Sequence, residues 1–328
     1  MPEYPKRIIL ELSNACNLRC IMCAQNHVNF DKSFLNLELI RDLDKFYRAA
    51  GEVTLFGYGE PLLNSAFPEM LELLSTYENL KIYLLTNGSL LGRFSEIIVK
   101  NRLAYLSVSV DGATEETYQR IRRRGVLSDV LTALESINKI KKKYKSESPH
   151  IRFVFVAMRD NIMELPLLLD IARRYGVAEV KVEYLVVHKQ EMADQSLFYH
   201  RELLAYFMKA KIKANECGIK LRLPPMIGED DLGDKMHREC KTPFDTLFVS
   251  SNGAIRACMI SNRIFGNLNV DSLESIWFGD EMNAFRKKVN TDDPPEDCAN
   301  CWQASHLNVN REQAHVRLNV NIAAQGIK

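Results

Sequence analysis

The chain has 328 residues, with 43 Lys+Arg against 42 Asp+Glu, so its charge balance gives no reason to expect a nucleic acid or an acidic membrane as partner. Hydrophobic residues make up 46% of it, ample for a packed core. Yet no apolar run is long enough to span a bilayer, and the N-terminus MPEYPKR lacks a signal-peptide core. A soluble, cytoplasmic protein is expected, and in such a chain eight cysteines read as metal ligands or reactive thiols rather than disulfides.

Apolar runs and amphipathic stretches alternate from the start. RIILEL (7–12) reads as a buried strand, and LELIRDLDKFYRAA carries a helical stripe of Leu37, Ile40, Leu43, Phe46 and Tyr47. EVTLF (52–56) and the helix FPEMLELLSTY follow, then KIYLLT, a helix near SEIIVKN, and YLSVSV. A long helix is predicted over about 127–144, then IRFVFVA, a helix at ELPLLLDIARRYGV, and VKVEYLVV. Six strands alternating with helices mean a parallel sheet with right-handed crossovers, enough for a partial (β/α)6 barrel but not a full eightfold one. After about residue 185 the pattern changes. A helix over about 195–217 leads to KLRLPP and to TLFVSSNGAIRAC, where Asn252-Gly253 signals a hairpin. One more helix, SLESIWFGDEMNAFRKK, precedes DDPPEDC. The fold class expected is α/β, followed by a small α+β domain. The boundaries fall at 1–190 for the core, 191–217 for a linking helix and 218–328 for the second domain and tail.

The cysteines cluster. Cys16, Cys20 and Cys23 (C-x3-C-x2-C) follow the first strand, so they lie at the carboxyl end of the sheet, where α/β folds bind ligands. Three thiolates leave one iron of a four-iron cluster open to a substrate or cofactor. The competing reading is zinc, with His27 as a fourth ligand. Cys240, Cys258, Cys298 and Cys301 form a second set, with Gly253 on the turn between the first two. Four thiolates suffice for one complete cluster or for a zinc ribbon.

The first motif resembles the cluster-binding signature of the radical S-adenosylmethionine (SAM) superfamily. That resemblance implies a [4Fe–4S] cluster whose open iron is chelated by SAM. It also implies reductive cleavage of SAM to a 5′-deoxyadenosyl radical, and abstraction of hydrogen from an unactivated carbon. Met22 stands where the family usually has an aromatic bordering the adenine. Gly59-Glu60-Pro61 resembles the family's motif for the SAM amino group, with Tyr58 replacing a glycine. Thr86 and Asn87 close the third strand in TNG, a bare turn on the plainer reading. Ser109, Asp111 and Gly112 resemble the family's ribose and methionine contacts. QRIRRRG (119–125) reads either as a solvated helix face or as an anion contact. The second reading has one arginine, Arg120 or Arg122, gripping the SAM carboxylate or an acidic substrate. The second cysteine set resembles the twitch domain, the shortened relative of the SPASM domain, and implies one auxiliary [4Fe–4S] cluster. Trp302 beside it reads as a packing wall. Cys217 stands alone, either as a buried apolar residue or as a hydrogen-atom donor.

The expected function is net dehydrogenation of a small polar metabolite, such as a sugar or aminocyclitol, with the auxiliary cluster taking the electron. A low-potential donor such as flavodoxin or ferredoxin would be the partner. Rivals are peptide modification, by thioether formation or epimerisation, and sugar epimerisation with a cysteine donor. With only fifteen residues before Cys16, a leader-binding domain is not expected. The tail AAQGIK differs from the Gly-Gly tail of GTP cyclases with a similar two-cluster plan. From another class, a zinc-binding interaction module without catalysis stays open.

Overall fold

The computed structural model describes residues 3–27, 31–188, 190–197, 200, 202–224, 239–299 and 301. The six expected strands form: β1 (Arg7–Leu10), β2 (Glu52–Leu55), β3 (Lys81–Thr86), β4 (Tyr105–Ser109), β5 (His150–Ala157) and β6 (Glu179–Tyr184). They pair in chain order and every pair is parallel, so each strand delivers its carboxyl end to the same rim. Among the described residues the sheet does not close into a barrel. β7 (Lys220–Arg222) extends it beyond β6, and β8 (Thr246–Val249), β9 (Ala254–Arg256) and β10 (Ile264–Asn267) extend it beyond β1.

Period-2 alternation sorts each strand's side chains between two environments. Ile8, Leu10, Val53, Leu55, Leu84, Val108, Phe153 and Phe155 face the helices and are fully buried. Their neighbours on the other face are half-buried and more polar. There Tyr83 stacks on Tyr105 with ring centroids 4.9 Å apart, and Arg152 reaches Ser107 and Glu179.

Three predicted helices differ in extent. The stripe over 37–50 is two short helices, Leu37–Arg41 and Asp44–Ala49; Asp44 opens the second and bonds Arg48 and the Tyr77 hydroxyl. The helix expected from about 195 begins at Leu203 and ends at Cys217, and Gln190–Gln195 is a 3₁₀ turn. SLESIWFGDEMNAFRKK divides at Gly279 into Leu273–Trp277 and Asp280–Val289. A side chain at Gly279 would meet the Ser275 carbonyl at 2.3 Å.

The C-terminal elements share the hydrophobic core of the first six units. Leu247, Val249, Ile255 and Trp277 belong to the same buried cluster as Ile8 and Leu10. Tyr4 packs edge-on between Phe46 and Phe278, and Trp277 Nε1 donates to the Glu3 carbonyl at 2.9 Å, so residues 3 and 4 hold the end of the helix Leu273–Trp277. Among the described residues no helix is long and apolar enough to cross a membrane.

Candidate active site

The loop that leaves β1 carries Cys16, Cys20 and Cys23, and two neighbouring loops clamp it. On one side Gly59 lies flat against it. A Cβ there would meet the Ala15 and Ser13 carbonyl oxygens at 2.3 and 2.4 Å, while Glu60 N–H donates to the Ala15 carbonyl at 2.8 Å. The obstacles are backbone and cannot swing away. Gly59→Ala is therefore expected to displace the cysteine loop and lower SAM affinity at least about tenfold, the scale of one lost charge-assisted contact, as read by calorimetry. Unchanged affinity would show that the loop tolerates the shift.

Glu60 is buried and fully engaged. Its carboxylate accepts from Leu62 N–H at 3.1 Å, Thr86 Oγ1 at 2.6 Å and Asn87 N–H at 2.7 Å. Burial pushes this carboxyl up, and the three donors pull it back. Asn87 Nδ2 then donates to Asn17 Oδ1 at 2.9 Å and lies 3.8 Å from Cys16 Sγ. TNG is thus more than a turn: it joins the Gly-Glu-Pro loop to the cysteine loop. Pro61 is buried and opens the short 3₁₀ turn Pro61–Leu63.

On the other side, Arg19–Cys20 pairs antiparallel with Arg122–Arg123. The basic run is not a solvated helix face throughout, because the helix Glu115–Ile121 ends before Arg122. Arg122 is buried against Asp111 at 2.7 Å, and its Nη1 lies 3.9 Å from Cys20 Sγ. Burial opposes the Arg122 charge, but Asp111 and Cys20 outweigh it and hold the guanidinium protonated. Burial raises the Asp111 carboxyl, while Arg122 and the Val156 N–H favour its ionised form, and at 2.7 Å the two make an ion pair. Arg120 does not join them. It is exposed and donates to the Asp160 carbonyl at 3.1 Å. Ser109 is half-buried at the end of β4. Met22 packs against an apolar cluster of Ile121, Met158, Leu185 and Val187.

Burial raises the thiol pKa of Cys16, Cys20 and Cys23, with Cys20 pushed up to about 11, and the thiols also act electrostatically on one another. Leu18 N–H, Asn87 and Arg122 all point donors at these sulfurs. Thiolates bound to an iron–sulfur cluster take such donors, so the donor set fits the cluster. The His27 side chain lies outside the described residues.

Among the described residues no three His, Cys, Asp or Glu side chains are placed to hold a metal ion, so the second cysteine set is known by its spacing and surroundings. Burial raises Cys258 and Cys298, the latter to about 12, and Cys240 and Cys301 act electrostatically on both. Gly253, at φ +84°, makes the hairpin turn between β8 and β9. Ser261 N–H donates to Cys258 Sγ at 3.3 Å, and Asn290 holds the Cys240 backbone with two bonds. Trp302 lies outside the described residues. Cys217 sits apart, at the end of an outer helix, with Sγ 3.5 Å from Asp170 Oδ1. That placement lends no support to a hydrogen-donor role.

A cavity of about 520 Å³ opens between the cysteine loop and the hairpin. Ala24 and Tyr58 line it from one side, and Ser250, Ser251, Asn252, Arg256 and Asn262 from the other. Tyr58 bridges the two, its hydroxyl donating to the Met259 carbonyl, next to Cys258, at 3.0 Å. Glu11 bridges them too, accepting from Tyr58 N–H, Ser251 N–H and Ser251 Oγ. Glu11 and Arg256 were not legible as site residues, since neither belongs to a spacing motif. The one signal was a carboxylate at the end of a buried apolar strand.

Residues 10–165 match the family model of the radical SAM superfamily, and residues 240–302 match the SPASM model, an iron–sulfur cluster-binding domain. A GTP 3′,8-cyclase of Synechocystis sp. is 25% identical over 296 residues, covering 82% of this chain and 83% of its own. An AdoMet-dependent heme synthase of Methanosarcina barkeri is 26% identical over 329 residues, 92% of this chain and 89% of its own. Among solved structures, Streptococcus suis SuiB bound to S-adenosylmethionine superposes with a TM-score of 0.68 at 17% identity, over 91% of this chain and 71% of that one. At that identity the likeness speaks for the fold. With both models matched in the expected order, the zinc-module reading falls away. The chain belongs to the radical SAM superfamily, as an enzyme with a C-terminal iron–sulfur cluster-binding domain, and its cofactors are SAM and two [4Fe–4S] clusters.

Proposed function

We propose that this enzyme removes two electrons and two protons from a small polar metabolite. In this reading Cys16, Cys20 and Cys23 hold the SAM-binding cluster, and Cys240, Cys258, Cys298 and Cys301 hold the auxiliary one. When bound, SAM and its cluster would supply the radical chemistry that takes a hydrogen atom from substrate carbon, and the auxiliary cluster would supply an acceptor for the remaining electron. The chain's own residues position and enclose. Glu60, Thr86 and Asn87 fix the loop around Cys16, and Asp111 with Arg122 fixes the stretch around Cys20. Arg122 is the arginine of the basic run with access to this region; the SAM carboxylate is its proposed ligand. Tyr58 and Glu11 hold the hairpin over the cavity and limit entry of water.

One observation carries the oxidative reading. The second set supplies four cysteines, enough to ligate one cluster completely and leave it no open iron, and electron transfer is the role then left to it. The relatives named above carry different activities, so they do not choose the substrate. The domain division at 190 and 217, the cytoplasmic location and a flavodoxin- or ferredoxin-type donor belong to the same proposal. The test is an untargeted mass comparison of metabolites treated with the reduced enzyme and SAM. The expected product is two hydrogens lighter than its substrate, with one 5′-deoxyadenosine formed per turnover. A product of unchanged mass in ordinary water that gains one deuterium in heavy water would mean epimerisation instead, and conversion confined to a peptide fraction would mean peptide modification.

A further inference from the structure

The strand register places three cavity residues on one face of the sheet. Phe248 pairs with Arg256 across the hairpin, and Ile9 pairs with Phe248 across β1 and β8. Two residues on, Glu11 and Ser250 continue the same face, since side chains alternate with period two. All three line the cavity.

Arg256 is anchored but not satisfied. Its Nε and Nη2 donate to the Ser261 and Met259 carbonyls, wrapping the loop that carries Cys258. The guanidinium lies 5.5 Å from the Phe248 ring centroid and 6.0 Å from that of Tyr58. Among the described residues no carboxylate pairs with it, and Nη1 has no hydrogen-bond partner. Ser250 is 8% exposed, and its buried Oγ has no partner either. A buried hydroxyl left without a bond is costly, so a polar group facing it stabilises the site. Glu11 shares the cavity yet forms no ion pair with Arg256. It accepts three hydrogen bonds from donors that carry no charge, and two carboxylate oxygens have room for about one more.

We infer that the cavity receives a hydroxy- or amino-carboxylic acid, its carboxylate on Arg256 and Ser250 and its hydroxyl or amine toward Glu11. A planar guanidinium edge beside a hydroxyl matches a carboxylate, and the cation between two aromatic rings keeps its orientation without a protein counter-ion. The Glu11 charge repels a carboxylate placed the other way round, which fixes the direction of binding. The carbon bearing the hydroxyl or amine is then the end nearer the cysteine loop. This inference rests on the proposed function for the location of the substrate.

The test uses the anaerobic holoenzyme with both clusters and SAM. A panel of small hydroxy acids and amino acids, each paired with its own carboxamide, is ranked by thermal shift and then by calorimetry. At least one acid is expected to bind, with its amide weaker by about tenfold or more, the scale of a lost charge-assisted bond. Arg256→Gln should remove the preference and Ser250→Ala should reduce it. Iron content is measured for each variant, because Arg256 also clips the Cys258 loop; Ser250→Ala carries the test if Arg256→Gln loses iron. The inference is overturned if no acid is preferred over its amide, or if the preference is unchanged in both variants. Formation of 5′-deoxyadenosine by the unaltered enzyme is a separate measurement. Enzyme that cleaves SAM but ignores the acid's charge sinks this inference alone, and enzyme that prefers the acid but never cleaves SAM sinks the proposed function alone.

Discussion

Replacing Cys16, Cys20 and Cys23 together with alanine should lower bound iron from about eight atoms per chain to about four, and stop formation of 5′-deoxyadenosine entirely. The two sets of thiols make this separable. Glu60, Asp111, Arg19 and Arg122 act on the thiols of the first loop, whereas Cys240 and Cys301 act on Cys258 and Cys298, and Asp297 acts on Cys298. The first loop is also small and clamped by backbone contacts, so alanine there leaves the sheet intact. Iron analysis, sulfide analysis and dithionite-driven product formation read the result. Loss of all the iron would mean that the two sites are not independent, and surviving product would remove the first loop from SAM cleavage.

Replacing Arg122 with Met should destabilise the fold by about 3–5 kcal/mol, the cost typical of stripping one partner from a buried pair. Among the described residues Asp111 has no other cationic side chain within contact, and it is fully buried, so its charge would be left on the Val156 N–H. Asp111→Asn combined with Arg122→Met should recover much of the loss, because the neutral pair no longer buries an orphan charge. Anaerobic urea unfolding at equal SAM and iron content measures both. If the single variant unfolds like the unaltered protein, the ion pair is not the anchor of this loop. Should the double variant be no better than the single one, Arg122 acts through Cys20 rather than through Asp111.

Much of this site could be read before the structure, and the reason is chemical. Cysteine spacing, Gly-Glu-Pro and the alternation of strands with helices are local patterns, and local patterns survive in a sequence. The partners of Arg122 were not legible. Its place depends on the helix Glu115–Ile121 stopping one residue earlier, so that Arg122–Arg123 meets Arg19–Cys20 about a hundred positions away. The basic run therefore left Arg120 and Arg122 as equal candidates, when the fold treats them oppositely. Glu60 shows the converse. Its motif was visible, but its bonds to Thr86 and Asn87 tie loops after two different strands, a relation only the assembled sheet creates. Glu11 and Arg256 were missed for the same reason: each acquires meaning from strand register across 240 residues or more.

The pairing of β8 with β1 also bears on how the chain reaches this state. Arg7–Leu10 finds one neighbour in Glu52–Leu55 early in synthesis, but its other edge is filled by Thr246–Val249. Until those residues leave the ribosome, a strand of Ile8, Ile9 and Leu10 presents an open, apolar edge, the kind that recruits other chains. A nascent chain stalled before residue 246, or one shortened to that point, should associate with itself, even though its first six β/α units are present. In the folded chain the C-terminal third thus covers the N-terminal strand's second edge, and light scattering of the shortened chain measures what that cover prevents.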